Sequence, residues 1–144
     1  MKKPYKHKVQ YYETDQMGCV HHSNYIRWFE EGRTYLLEEL QFGYALMEEN
    51  GVMSPVLRAE AEYKSMTRFG ETVEMDITVS AYTGTRVEFS YTVKDLKTGD
   101  LRCAGKTYHC FIGENGRPLS VKKHLPKLHE VFMQYMENAS AEGL

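Results

Sequence analysis

Between Leu57 and Ile112 the side chains alternate apolar and polar with a period of two, in runs separated by glycine turns. Leu57, Ala59, Ala61 and Tyr63 oppose Arg58, Glu60, Glu62 and Lys64. Val73, Met75, Ile77, Val79 and Ala81 oppose Thr72, Glu74, Asp76, Thr78 and Ser80. Val87, Phe89, Tyr91 and Val93 oppose Arg86, Glu88, Ser90, Thr92 and Lys94. A period of two suits a pleated strand and no helix, so this part of the chain is committed to a sheet with one apolar face. Gly70, Gly84 and Thr98-Gly99-Asp100 separate the runs, and connections this short make antiparallel neighbours. The fourth run, Leu101 to Ile112, loses clean alternation near Ala104-Gly105, which predicts a bulge or a strand buried on both sides.

One segment has the period to cover that apolar face. Tyr25, Phe29, Gly32, Leu36 and Leu40 are spaced by three or four, as one side of a helix requires. Ser23 or Asn24 can cap its start, and Gly43 can end it in the left-handed conformation. Gly32 within the stripe costs about 1 kcal/mol against alanine, which predicts close helix–sheet approach. Upstream, Tyr5, His7, Val9 and Tyr11 alternate with Lys6, Lys8 and Gln10, a half-buried strand ending at Tyr11. Tyr44 to Asn50 reads as a short helix stopped by Gly51, and Pro126 to Met136 as a terminal helix. The expected architecture is α+β, a curved antiparallel sheet wrapped around one long central helix, with residues 1–144 as a single domain. Long strands leave edges, and pairing with a second copy manages them, so a homo-oligomer is expected.

Bulk properties exclude several classes of function. The 144 residues are 42% hydrophobic and 26% charged, ordinary for a globular chain. A net charge of −2 gives no electrostatic reason to expect a nucleic-acid partner. The basic start, Met1-Lys2-Lys3-Pro4-Tyr5-Lys6-His7-Lys8, lacks the apolar stretch of a secretion signal. No run approaches the roughly 18 apolar residues of a membrane span. Cys19, Cys103 and Cys110 are an odd set without CxxC spacing, so reduced thiols and a cytoplasmic location are expected. Cys19, His21 and His22 cluster, but zinc needs about four ligands, and Cys103, His109 and Cys110 share a strand whose neighbours face opposite ways. No metal is expected.

The densest chemistry lies between Tyr11 and Arg33. Asp15 precedes a turn at Gly18 that leads into the helix, which sets a carboxylate beside unsatisfied N–H groups at a helix start. A base or nucleophile beside an oxyanion site is what acyl transfer needs. Asp15 could attack an acyl carbonyl, activate water, or simply cap the turn. The His22 ring could orient water, protonate a leaving group or hold Asp15, or do no more than bond backbone. Gly18 permits a tight turn and leaves room for an acyl group. The Tyr11 phenol could bond the carboxylate, although strand tyrosines are more often core residues with a wet tip. Ser23, at the same helix start, is a further substrate-binding candidate.

The pattern Val9-x-Tyr11-x-x-Thr14-Asp15-x-x-Gly18-x-Val20-x-His22-x-Asn24-Tyr25, followed by Phe29-Glu30-x-x-Arg33, resembles the hotdog-fold acyl-CoA thioesterases of the 4-hydroxybenzoyl-CoA thioesterase and YbgC-like type. The strand order and the Arg68-Phe69-Gly70-Glu71 turn fit as well, so the resemblance spans the chain. It implies that Asp15 is the catalytic carboxylate, that the His22 N–H polarises the thioester carbonyl, and that the His22 ring and Tyr11 lie nearby. It also implies an acyl-CoA substrate, or an acyl-carrier-protein thioester, bound at the interface of a homodimer or homotetramer. Relatives that bind nucleotide phosphates through basic residues carry them on the turn Thr83-Gly84-Thr85-Arg86, where only Arg86 is basic here. No cofactor is implied, coenzyme A being part of the substrate. The alternatives are an acyl-CoA-binding module without catalysis and an enoyl-thioester hydratase or dehydratase. The last normally sets its aspartate and histidine closer together than Asp15 and His22.

Overall fold

The computed structural model describes residues 3–142, so Met1 and Lys2 of the basic start lie outside it. The chain runs β1 (Tyr5–Lys8), a 3₁₀ turn (Tyr11–Glu13), α1 (Ser23–Glu39), α2 (Tyr44–Glu49), β2 (Val56–Tyr63), β3 (Thr72–Tyr82), β4 (Arg86–Asp95), β5 (Leu101–Cys110), α3 (Val121–His124) and α4 (Pro126–Glu142). The strands form one five-stranded sheet in the order β1-β3-β4-β5-β2. β1 pairs antiparallel with β3 from Tyr5 opposite Met75 to Lys8 opposite Thr72. Short turns join β3 to β4 and β4 to β5. β2 runs against β5, with Met53 bridging Ile112 at one end and Lys64 N–H donating to the Arg102 carbonyl at the other. The architecture is the α+β arrangement that the alternating pattern predicts.

Contacts gather the described residues into two compact units, 3–33, Ala59–Thr78 and Ser90–Lys106 in the first, and Thr34–Arg58, Val79–Phe89 and 107–142 in the second. In the first, α1 lies directly on the strands. A Cβ at Gly32 would sit 2.7 Å from Met75 Cε and 3.0 Å from Ile77, so glycine is what permits the approach. Gly105 on β5 does the same from the sheet side, where a Cβ would stand 2.5 Å from the Glu60 carbonyl and from the Phe29 ring. Phe29 then stacks on Tyr91 at 4.3 Å, with their planes 10° apart. The broken alternation near Ala104-Gly105 therefore marks close packing in an unbroken strand. Arg102 is buried between Asp95 and Glu71, each 3.6 Å away, and donates to Ser65 Oγ at 3.0 Å.

In the second unit, Phe132 of α4 stacks on Tyr82 at 4.7 Å and meets Phe111 at 6.0 Å. His129 Nδ1 lies 2.7 Å from the Tyr82 hydroxyl, and burial pushes that phenol up to about 12. Buried His109 is held by Thr107 Oγ1 at 2.8 Å and packs edge-on to Phe89.

Several local expectations are corrected. The first strand stops at Lys8, and Tyr11 opens the 3₁₀ turn with 77% of its surface exposed. Its cause is Glu13, whose carboxylate reaches back to the Gln10 N–H and coils the chain. Helix α1 ends at Glu39, and Gln41 takes the left-handed conformation at φ 64°, while Gly43 starts α2 at φ −70°. A Cβ at position 43 would meet only the Glu38 carboxylate, the end of a flexible side chain. Neither Ser23 nor Asn24 caps α1. Asn24 instead donates its side-chain amide to the Glu13 carbonyl at 2.9 Å. The terminal helix runs on to Glu142, preceded by α3, which is too short to show a period. On β2, one of the two edge strands, Leu57 and Tyr63 remain 50% and 49% exposed.

Replacing Gly105 by alanine forces a methyl group against backbone and a buried ring. Gly105→Ala is expected to lower stability by about 1–3 kcal/mol, read as a reduced urea midpoint with an unchanged slope.

Candidate active site

The segment from Glu13 to His22 is a hairpin-like loop. The His21 N–H donates to the Glu13 carbonyl at 2.8 Å, Thr14 bridges Val20, and the Asp15 N–H donates to the Cys19 carbonyl at 2.9 Å. Gly18, at φ +78°, closes the tip by donating to the Asp15 carbonyl. The returning arm is pinned from outside. The Val20 N–H donates to the Thr67 carbonyl at 2.8 Å, and the buried Tyr25 hydroxyl lies 2.9 Å from Thr67 Oγ1.

Asp15 is half-buried at this tip. Its Oδ1 accepts the Met17 N–H at 2.8 Å and lies 3.8 Å from the Cys19 thiol, while Oδ2 has no partner among the described residues. The aspartate thus both shapes the turn and keeps one oxygen available. At the other end of the loop the first turn of α1 uses most of its amides. Ser23 N–H donates to His21 Nδ1, Asn24 N–H to the His21 carbonyl and Tyr25 N–H to the His22 carbonyl. The His22 N–H has no acceptor among the described residues, so it is a donor left open at a helix N-terminus.

Beneath the loop lies Glu13, only 3% exposed. Its Oε1 accepts from Gln10 N–H at 2.7 Å and His7 Nε2 at 2.8 Å, and Oε2 accepts from Trp28 Nε1 at 2.7 Å. Burial alone would raise its carboxyl. The bonds from Gln10, His7 and Trp28, with the charge on His7, together outweigh burial and bring it below the ordinary value of 4.5.

With this geometry in hand, comparison with known proteins is informative. Residues 9–135 match the model of the thioesterase-like superfamily. The chain belongs to this superfamily. Bacillus subtilis YneP, provisionally named an acyl-CoA thioesterase, is 36% identical over 126 residues, 87% of this chain and 91% of YneP. A DHNA-CoA thioesterase structure from Staphylococcus aureus superposes with a TM-score of 0.91 at 30% identity, covering 98% of this chain and 94% of that one. YbgC of Escherichia coli O157:H7, named an acyl-CoA thioester hydrolase, is 26% identical over 83 residues, 58% of this chain and 62% of YbgC. The hotdog fold expected from the sequence is the fold observed.

Within this hotdog thioesterase fold, Asp15, Gly18, His22, Ser23 and Tyr11 all belong to the first unit. The His22 ring is exposed, stacks on His21 at 4.2 Å and meets the Tyr63 edge at 6.1 Å, with no hydrogen bond to Asp15. Ser23 Oγ bonds His21 Nδ1 at 2.9 Å. The Tyr11 phenol bonds nothing among the described residues and packs edge-on against Phe69 at 5.6 Å. Arg86 belongs to the second unit, exposed at the start of β4, where it helps line a cavity of about 180 Å³ with Leu57, Thr83 and Tyr108. Glu13 is the residue that sequence reading missed. Its side-chain partners are six and fifteen positions away, a spacing that belongs to neither helix nor strand.

The sign of the Glu13 shift gives a pH prediction. A carboxyl held low in the folded protein adds stability in full above its unfolded value of about 4.5, and loses it as pH falls through that value toward the folded one. Thermal melts should therefore fall in wild type below about pH 4.5. The Glu13→Gln melt should start lower and change less over that window.

Proposed function

We propose that this protein hydrolyses acyl-CoA thioesters to a carboxylic acid and free coenzyme A. The observation that carries the reading is a pair of open groups on one pinned loop: Asp15 Oδ2 and the His22 N–H, each without a partner among the described residues. A thioester carbonyl oxygen facing the His22 amide gains charge as the carbonyl carbon is attacked, and an oriented donor at a helix start stabilises that charge by roughly 3–4 kcal/mol. Asp15 supplies the attack, either by adding to the carbonyl carbon itself or by taking a proton from water. The carbon–sulfur bond then breaks and the coenzyme A thiolate leaves, to be protonated to the thiol; after direct attack, water hydrolyses the acyl-Asp15 anhydride to the free acid and regenerates the carboxylate. Single-turnover hydrolysis in labelled water separates the two roles: activated water puts the label into the product acid, whereas direct attack with water adding at the Asp15 carboxyl carbon puts it into Asp15 and leaves the first product unlabelled.

The surface round the loop suits an acyl group. Tyr11, Met17, Met66 and Phe69 are all exposed. A second copy of the chain is part of the same reading, with the substrate lying between subunits. β2 is an edge strand, it exposes Val56, Leu57 and Tyr63, and the Tyr63 hydroxyl donates to the His22 carbonyl at 3.3 Å. A long apolar edge of this kind is normally covered.

The test is a panel of acyl-CoA esters, including DHNA-CoA, followed by capture of the released thiol. Wild type is expected to release thiol, and Asp15→Asn is expected to lower kcat at least 100-fold with an unchanged circular dichroism spectrum. A folded Asp15→Asn variant working at the wild-type rate would overturn the proposal. So would saturable binding of the esters by wild type with no thiol release.

A further inference from the structure

We infer that Glu13 is a positioning residue for this hydrolysis, a buried carboxylate that keeps the His22 amide and the Asp15 turn aligned without touching the substrate. The inference rests on the proposed function and adds a residue to it. Glu13 is bound at both its side chain and its backbone. The carboxylate gathers β1 through His7, the 3₁₀ turn through Gln10 and α1 through Trp28. The carbonyl gathers the returning arm, accepting from the His21 N–H at 2.8 Å and from Asn24 Nδ2 at 2.9 Å.

That carbonyl fixes the residue next to the open donor. His21 donates its N–H to Glu13, and one residue on, in the turn that enters α1, the His22 N–H has no acceptor among the described residues. The other end of the same residue begins the arm that carries Thr14 and Asp15, so one anchored residue registers both ends of the site. A carboxylate is required for this. Three N–H donors converge on its two oxygens, and an ionised carboxylate is acceptor-only. Glutamine in its place has one oxygen and brings two donors of its own, so at least one converging N–H would face an NH₂ group. Asp at 13 would be a methylene short of Trp28 and His7.

Misaimed donors lose stabilisation that exists only in the transition state, so the expected signature is a fall in kcat with little change in KM. The experiment measures both constants with the acyl-CoA ester that wild type hydrolyses fastest, well below each variant's unfolding temperature. Glu13→Gln is expected to lower kcat at least tenfold and leave KM within about twofold. A folded Glu13→Gln variant with kcat within twofold of wild type would overturn the inference, as would a KM that rises in step with the loss of kcat. Should Glu13→Gln not fold, the pair His7→Leu and His7→Gln decides. Loss of kcat in the first and its recovery in the second, which keeps a donor, supports the inference, and equal kcat in the two overturns it. Asp15→Asn in the same series separates the two claims. Wild-type turnover there refutes the proposed function and takes this inference with it, whereas an inactive Asp15→Asn beside a fully active Glu13→Gln refutes only the role of Glu13.

Discussion

The structure turns on one buried negative charge. A carboxylate removed from water is costly, and it remains only where donors replace the water it loses. Glu13 has three, all within 2.8 Å, and hydrogen bonds to a charged group contribute about 1.5–3 kcal/mol each. The same bonds stop β1 at Lys8, coil the chain at Tyr11 and fasten the loop to the first turns of α1. Asp15 with its open oxygen and His22 with its open amide, both downstream of Glu13, inherit their positions from that anchor. The returning arm is held from the other side by Thr67, through the Val20 N–H and the Tyr25 hydroxyl.

The sheet supplies the platform. Gly32 and Gly105 remove the two methyl groups that would keep α1 off the strands, and Phe29 fills the contact between them by stacking on Tyr91. The start of α1, where the open amide lies, is therefore referenced to rigid strands. Superfamily membership and the superposition on the Staphylococcus aureus thioesterase agree with this arrangement. β2 stands apart from it as an edge strand that keeps the apolar side chains of Val56, Leu57 and Tyr63 exposed.

Much of this was legible in the residues, and the exceptions share a cause. β3, β4 and α1 follow from local periodicity, because burial of one face imposes its period on the sequence. Gly32 was readable as a close approach for the same reason. The exposure of β2 was not, since its alternation matches that of β4 and only the order of strands decides which is outermost. Tyr11 alternates like a strand residue, yet a carboxylate two positions on coils the chain beneath it. Gly43 looked like a helix stop, yet Gln41 takes the left-handed turn and Gly43 stands at the start of α2. At the site, Asp15 and His22 were read from spacing and from family resemblance. Glu13 was not, because His7 and Trp28 meet it only after the chain has folded.

Trp28 is the chain's single tryptophan, so its indole proton gives one resonance that reports on this anchor alone. If Glu13 is ionised and bonded to it as described, that proton should exchange with deuterated solvent only over hours at neutral pH, and its resonance should move as acid titrates Glu13 below about pH 4.5. An indole proton that exchanges within minutes and keeps the same position from pH 7 to the acid limit of folding would contradict the account.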